Sequence, residues 1–527
     1  MEVPLIPFKI LALAPFGPVP ESGAKPRIVP VDLASLDEAV QAVAPRFYLP
    51  VDKDLCPEGG LTIEIKSLKD FKPEALVRNT PFLSRVEEAR RFAREASTGG
   101  ASPRDTAPQI RSRWPEVPLN LGAGPAALEA KTSSRVDDIL AMVALPGGGD
   151  APPAGLTRAG GPFEQLEALL SALLEAVYDN EEFRTYEASW RGLDALLRQG
   201  PIKEGQPVRV NLVSINPDDL AETLDQLVTE LALDLPGLVL LDAPLDAGAR
   251  STALFEAIAG FAENLLAPTA VWITPHFFHL EDWAGLGRIS YLKHHLEDAA
   301  YAKWRKLPEH PGSNWLTVTC NRFLTRFPYG DDHKPKTAFF KEGRPLWLSP
   351  VWALGALAAQ SVLAYGWPSR FTDYTHVALR DLTVIKGAGE GPAATEMTLS
   401  EDRLMEFIEA GITPLLGPVR KDTAFMPKEA TLAGGSLKYQ LFTSRVLGFL
   451  FWCRDNLYGE VREGDVARNL QRAFSLFWEK TGHPAPEDLE ITMGQETESG
   501  TIPLGIALTP PRAVLPGGQR LEFSFVW

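Results

Sequence analysis

The sequence predicts an α/β protein: a small N-terminal α/β unit, a flexible linker, and a larger α/β body that closes in a β-strand region. Three observations predict it. Between 207 and 278 the apolar runs PVRVNLVSIN, GLVLLDAPL and TAVWITPHFF alternate with helical stretches at 218–233 and 250–266, the pattern of a parallel sheet with crossovers. The stretch 97–161 is rich in Gly, Pro and Ala and offers little apolar area to bury. The final residues, RLEFSFVW, alternate Leu521, Phe523, Phe525 and Trp527 with Glu522 and Ser524, which is the period of a strand.

The elements follow in order. PFKILALAP (7–15) is an apolar, strand-like run bounded by prolines. SLDEAVQAVAP (35–45) has Ser35 as a capping residue and Leu36, Val40 and Val43 at helical spacing. GLTIEIKSL (60–68) alternates Leu61, Ile63 and Ile65 with Thr62, Glu64 and Lys66, a half-buried strand. An amphipathic helix with a proline near its start follows up to residue 95, so 1–96 forms the small unit. Within the linker 97–161, SSRVDDILAMVAL (133–145) places Val136, Ile139, Leu140 and Val143 on one helical face behind a cap at Ser133 or Ser134. So short a helix does not fold alone and is expected to dock on its own body or on a partner.

The body, 162–527, opens with a helix carrying Phe163, Leu166, Leu169, Leu170, Leu173, Leu174 and Val177 on one face. EEFRTYEASWRGLDALLRQG (181–200) is a second helix, ending on a glycine, with Phe183, Tyr186, Trp190, Leu193 and Leu197 on one face. Trp190 is too large to leave in water and is expected to anchor this helix to the sheet. Arg191 is expected to pair with a carboxylate, and Gly192 to permit close helix packing. A core role for this trio is the expectation, and a direct subunit contact is the alternative. Further on come WLTVTCNRFLTRFPYG (315–330), the small-residue helix SPVWALGALAAQSVLAYG (349–366), LSEDRLMEFIEAGITPLLG (399–417) and the long helix YQLFTSRVLGFLFWCRDNL (439–457). EDLEITMGQ, GTIPLGIALTPP and GGQRLEFSFVW close the chain as strand-like pieces.

Composition bounds the function. A chain of 527 residues exceeds one ordinary domain, and 45% apolar content supplies a large core. A formal net charge of −16 argues against a general nucleic-acid binder, which needs a basic face. Cys56, Cys320 and Cys453 are far apart and odd in number, so neither a disulfide framework nor a metal pattern follows and a reducing compartment is expected. MEVPLIPFKILALAPF lacks the basic n-region and cleavage site of a signal peptide, and no apolar run reaches 18 residues. The reading is a soluble, cytoplasmic protein without direct membrane insertion.

Catalytic patterns are sparse. There is no G-x-x-x-x-G-K-[ST] loop, no G-x-G-x-x-G opening a helix after a strand and no G-x-S-x-G elbow. His276 and His279 in PHFFHLEDW, and His294 and His295 in KHHLED, lie near carboxylates but do not match H-E-x-x-H; capping or a solvated face is the expected role. Asp242 lies near the carboxyl end of a predicted strand, where α/β ligands often bind, but it has no partner in sequence. No catalytic residue, cofactor or metal is therefore expected.

EFRTYEASWRGLDALL resembles the signature of the large subunit of the type VI secretion contractile sheath (TssC, or VipB), a helix pair ending in E-x-x-W-R-G-L. GLVLLDAPL, APTAVWITPHFF, RFLTRFPYG, WALGALAAQSVLAYGWP, LSEDRLMEFIEAGITPLLG and SRVLGFLFWCRDNLYGEV follow in the order of that family's features. The first segment, through PFKILALAPFG, SLDEAVQAVAP and LTIEIKSLKDFKPEALVRNTPFLSRVEEAR, resembles the small sheath subunit (TssB, or VipA). The resemblance implies a natural fusion of the two, with a fixed one-to-one ratio. It departs from the family in joining what are usually separate chains and in a rather short large-subunit half.

The resemblance further implies a structural subunit that polymerises with itself around an Hcp-like inner tube, on baseplate proteins, and drives the tube by contraction. It implies that Leu521, Phe523, Phe525 and Trp527 belong to a strand donated to a neighbour, the alternative being a strand of the protein's own sheet. Val136, Asp137, Asp138, Ile139 and Leu140 stand where large sheath subunits carry the short helix gripped by a ClpV-like AAA+ ATPase, the alternative being an interdomain brace. Two rival functions are a sheath-like adaptor or regulator that does not polymerise, and a two-domain α/β hydrolase or transferase working near Asp242 and His276.

Overall fold

The computed structural model describes residues 3–19, 25–100, 102–119, 161–457, 466–494 and 502–526. The N-terminal segment contributes β1 (Phe8–Ala14), β2 (Val29–Val31), α1 (Leu36–Val43), β3 (Arg46–Pro50), β4 (Gly60–Glu64), α2 (Pro73–Asn79), α3 (Pro81–Thr98) and α4 (Pro103–Arg113). Then come α5 (Pro162–Asp179), α6 (Glu181–Gln199), β5 (Val208–Ser214), α7 (Leu220–Leu231), β6 (Leu238–Leu245), α8 (Ala249–Leu265) and β7 (Thr269–Ile273). The remainder holds α9 (Leu292–Leu296), β8 (Leu316–Cys320), α10 (Pro350–Tyr365), β9 (Ile385–Lys386), β10 (Pro392–Ala393), α11 (Glu401–Glu409), β11 (Ile412–Pro414), α12 (Leu437–Leu457), α13 (Val466–Lys480), β12 (Glu490–Met493), β13 (Pro503–Leu508) and β14 (Leu521–Val526), with short 3-10 turns between them.

Seven strands form the main sheet in the order β11-β8-β7-β6-β1-β5-β2. Every neighbouring pair is parallel except β2 with β5. The alternation β5-α7-β6-α8-β7 read from the sequence is present, but β5 and β6 are not neighbours. The crossover leaves a slot one strand wide, and β1 fills it. Phe8–Ala14 run in register with Val208–Ser214 on one side, and Ile10–Leu13 with Leu238–Leu241 on the other. After Lys9, the uninterrupted apolar run Ile10–Ala14 is what a central parallel strand requires, because both of its faces are covered. Phe8, Ile10, Ala12 and Ala14 join one core with α5, α6 and α10, while Leu11 and Leu13 join a second core with α7 and α8. The segments 1–96 and 162–527 thus complete a single sheet.

A third core gathers Val3, Trp367, α12 and α13 under the antiparallel sheet β12-β13-β14. No helix among the described residues is long and apolar enough to cross a membrane.

Several local expectations change. Ser35 does not cap α1 with its side chain: its hydroxyl donates to the Asp32 carboxylate at 2.9 Å, tightening the preceding turn instead. The linker expected from 97 onward carries helix α4. Ser102 accepts from the Arg104 amide, Pro103 occupies the first helical position, and Thr106, Ala107 and Ile110 are buried. Three small or β-branched residues aligned on one face suffice to seat α4 on α3 and α5, although the window is Pro- and Gly-rich. The strand read over 60–68 stops at Glu64 and pairs with β3, whose Phe47 and Leu49 point inward. The helix at 133–145 lies outside the described residues.

Candidate functional site

Helix α6 holds the signature. Asn180 caps it by accepting from the Phe183 amide at 2.9 Å, and Glu181 and Glu182 occupy the first turn, where the helix dipole favours negative charge. Phe183, Tyr186, Trp190, Leu193 and Leu197 are all buried. The Trp190 indole N–H donates to the Phe16 carbonyl at 2.8 Å, and its ring lies 4.8 Å from that of Phe16. Phe16 lies two residues beyond the end of β1, so the signature tryptophan binds the large body to the N-terminal segment. Phe47 and Phe71, also from the first segment, pack on Phe183, and the Tyr178 hydroxyl donates to the Phe71 carbonyl at 2.6 Å.

Gly192 is required by what faces it. A Cβ there would stand 2.2 Å from Trp352 Nε1. That indole N–H donates to Asp242 Oδ2 at 2.8 Å. Asp242 is buried, and burial pushes its carboxyl up against the opposing pull of the donors around it, of which the Trp352 indole makes the hydrogen bond.

Arg191 pairs with Glu187 at 2.6 Å, one turn back on the same helix. Glu187 is part of a larger buried network. Arg326 donates Nε and Nη2 to Glu187 at 3.1 Å each, and Nη1 and Nη2 to Glu342 at 2.7 and 2.8 Å. Glu342 also accepts from the Tyr329 amide at 2.7 Å. The guanidinium of Arg184 spends its donors on the carbonyls of Tyr178, Arg344 and Pro345. Burial alone would raise the Glu187 carboxyl, but the Arg326 and Arg191 charges outweigh it and hold it below the usual range. Conversely, burial lowers Arg326, and its two carboxylates push it well above the ordinary guanidinium value. Sequence reasoning misses this network. A signal for it exists: Glu187 sits at the i+4 place of the apolar stripe begun by Phe183, where a carboxylate belongs only if a cation meets it.

The other candidates separate. Asp242 shares the core face of Leu240 and Trp272, whereas His276 is exposed on a 3-10 turn whose Phe277 and Phe278 belong to the opposite core. The two residues of the hydrolase reading therefore stand on different faces of the sheet. His279, His294 and His295 lie on that second side too, and among the described residues no group of three or more His, Cys, Asp and Glu is disposed to hold a metal. At the C-terminus, β14 pairs antiparallel with β13, Leu521 with Leu508, Phe523 with Ile506 and Phe525 with Leu504. Leu521 is buried in the third core and Phe523 packs against it. Trp527 lies outside the described residues, as do Val136, Asp137, Asp138, Ile139 and Leu140.

Packed aromatics, a buried ionic network and an interleaved sheet make the signature region a packed scaffold. Residues 3–97 match the VipA family of the type VI secretion system, and residues 236–432 match the VipB family, described as the tail sheath N-terminal domain. A type VI secretion system sheath protein, TssC1 of Pseudomonas aeruginosa, is 24% identical over 292 residues, covering 49% of this chain and 58% of the relative. The chain thus spans less than two thirds of that relative's length. Solved structures of similar outline include a sheath tail protein of Listeria innocua (10% identity, 58% of this chain and 59% of that one, TM-score 0.33) and the contracted PVC sheath of an extracellular contractile injection system (10%, 62% and 78%, 0.33). At those scores they add nothing to the argument. The matches make this chain a fusion of a VipA-like (TssB-like) region and a VipB-like (TssC-like) region of type VI secretion sheath proteins.

Proposed function

We propose that this protein is the structural subunit of a type VI secretion-like contractile sheath, polymerising in the cytoplasm around an Hcp-like tube on a baseplate and working by contraction rather than by catalysis. The observation that carries the reading is the place of β1. The VipA-like segment supplies the central strand of the VipB-like sheet, so each chain is one complete building block with both subunit types in a fixed ratio. Division of the chain at 96 and 162 belongs to the same reading, as a correspondence with two ancestral subunits. The outer edges of β12 and β14 are free of partners among the described strands and suit strand addition by a neighbour, to which 521–527 would contribute. The segment at 136–140 would engage a ClpV-like AAA+ ATPase.

The test is sedimentation of the purified full chain across a concentration series, with electron microscopy of the pellet. Tubes or stacked rings are the expected result. A monodisperse particle at every concentration overturns the proposal and leaves the adaptor reading.

A further inference from the structure

We propose that Arg445 is a receptor for a carboxylate delivered by an adjoining copy of this chain; the inference rests on the polymer reading and names one contact within it. Arg445 projects from α12 into the third core and keeps only 5% of its surface open. Its guanidinium lies 5.5 Å from the centroid of the Trp367 ring and 5.8 Å from that of Phe477. Nε and Nη1 are buried without a hydrogen-bond partner among the described residues. Burial alone acts on its acidity, lowering it to about 10, with no described anion raising it. Arg326, by contrast, is held by two carboxylates.

Arg445 is not the sole orphan in this layer. Trp478 lies 4.6 Å from Trp367, ring to ring, and its Nε1 is also buried without an acceptor among the described residues. Two donor side chains around Trp367 thus lack an acceptor among the described residues, and one of them is a full charge. An unpaired buried charge is among the most unfavourable arrangements a core can hold, and it becomes favourable when a hydrogen-bonded counter-ion arrives. The planar fork of a guanidinium matches a carboxylate through two parallel bonds.

Two observations point to a second copy as the source. The chain carries 68 acidic against 52 basic residues, so its own surface presents carboxylates in excess. The layer around Arg445 is continuous with the small sheet, since Leu504, Ile506, Leu508 and Leu521 share its core, and both outer strands of that sheet have open edges among the described strands. A strand added at either edge would place alternate side chains toward the same layer.

The experiment compares the full-length wild type with Arg445→Met and Arg445→Lys, reading thermal unfolding of the unassembled protein and the critical concentration for assembly. Methionine keeps the apolar stem and removes the charge. R445M is expected to unfold at the same or a higher temperature than wild type, yet to need at least about thirtyfold more protein to assemble. R445K, with the charge but not the fork, is expected to fall between. Assembly of R445M at the wild-type concentration overturns the inference while leaving the polymer reading intact. A lowered unfolding temperature for unassembled R445M also overturns it, because the counter-ion would then be in the same chain. A wild type that never assembles removes both.

Discussion

Replacing Gly192 with alanine tests the packing that joins the signature helix to the sheet. The new Cβ would lie 2.2 Å from Trp352 Nε1 and 2.4 Å from its Cδ1, where ordinary contact begins at 3.4 Å. The indole must therefore withdraw by about 1.2 Å (3.4 minus 2.2 Å) from a position in which it is wholly buried. Withdrawal breaks its 2.8 Å bond to Asp242. Overpacking of this kind costs roughly 1–3 kcal/mol, and leaving a buried acceptor unmet costs about 1–3 kcal/mol more. Alanine returns about 1 kcal/mol through helix propensity. The net is a loss of roughly 1–5 kcal/mol, which at about 1 °C per kcal/mol for a chain of 527 residues is a fall of about 1–5 °C in the thermal midpoint. The control is Gly260→Ala on α8, where a Cβ meets nothing within 4 Å. Only propensity acts there, so G260A should gain about 0.5–1 kcal/mol. Thermal unfolding at one scan rate compares the three proteins. A G192A midpoint equal to or above wild type refutes the packing argument.

Two further substitutions probe the buried charges. Arg326→Met strips Glu187 and Glu342 of their shared cation and should cost about 3–5 kcal/mol at neutral pH, read by urea unfolding. The sign of its pH effect follows from Glu187, whose carboxyl is held below the usual range in the fold. That contribution is present above the ordinary carboxylate pKa and is lost as pH falls below it; without Arg326, burial dominates, and acid unfolding should begin at a higher pH than in wild type. Asp242→Asn imitates the protonated acid that burial favours and keeps an acceptor for Trp352, so its stability at pH 7 should equal or exceed that of wild type. Because the carboxyl is raised in the fold, the wild type should lose stability relative to D242N as pH rises above the ordinary carboxylate pKa, and a parallel pair of pH profiles would disprove that assignment.

Elements written into local periodicity are legible in the sequence itself. The strands at 208–214, 238–245 and 269–273 and the helices at 220–231 and 249–265 fall within the predicted stretches to within a few residues. The size of Trp190 and its place on the apolar stripe of α6 assign it to the interior, where it lies. Gly192 reads as a close-packing position, but its opposing Trp352 is 160 residues away (352 minus 192) and no local pattern names it. The same holds for β1: its composition declares an apolar strand, yet nothing within it says that its ladder partners are 208–214 and 238–241. Helix α4 escapes sequence reading for another reason. Its helical character rests on a Ser102 cap and one large buried aliphatic side chain, Ile110, beside the smaller Thr106 and Ala107, in a window whose average composition reads as linker.

The position of β1 bears on why the two regions share one chain. A strand added at a sheet edge can be lost with one ladder broken, whereas withdrawing β1 breaks two, opens the facing edges of β5 and β6 and uncovers both cores at once. Trp190 would lose its acceptor at Phe16 in the same step, and Tyr178 would lose Phe71 if the whole segment 1–96 left with β1. Two separate chains would have to meet before either sheet edge aggregated. Covalent linkage turns that encounter into an intramolecular closure, whose entropy grows only slowly with the length of the connecting segment. The long connection between α4 and α5 is therefore compatible with fast, stoichiometric assembly of the sheet, and the 1–96 segment cannot be present in a different number of copies from the body it completes.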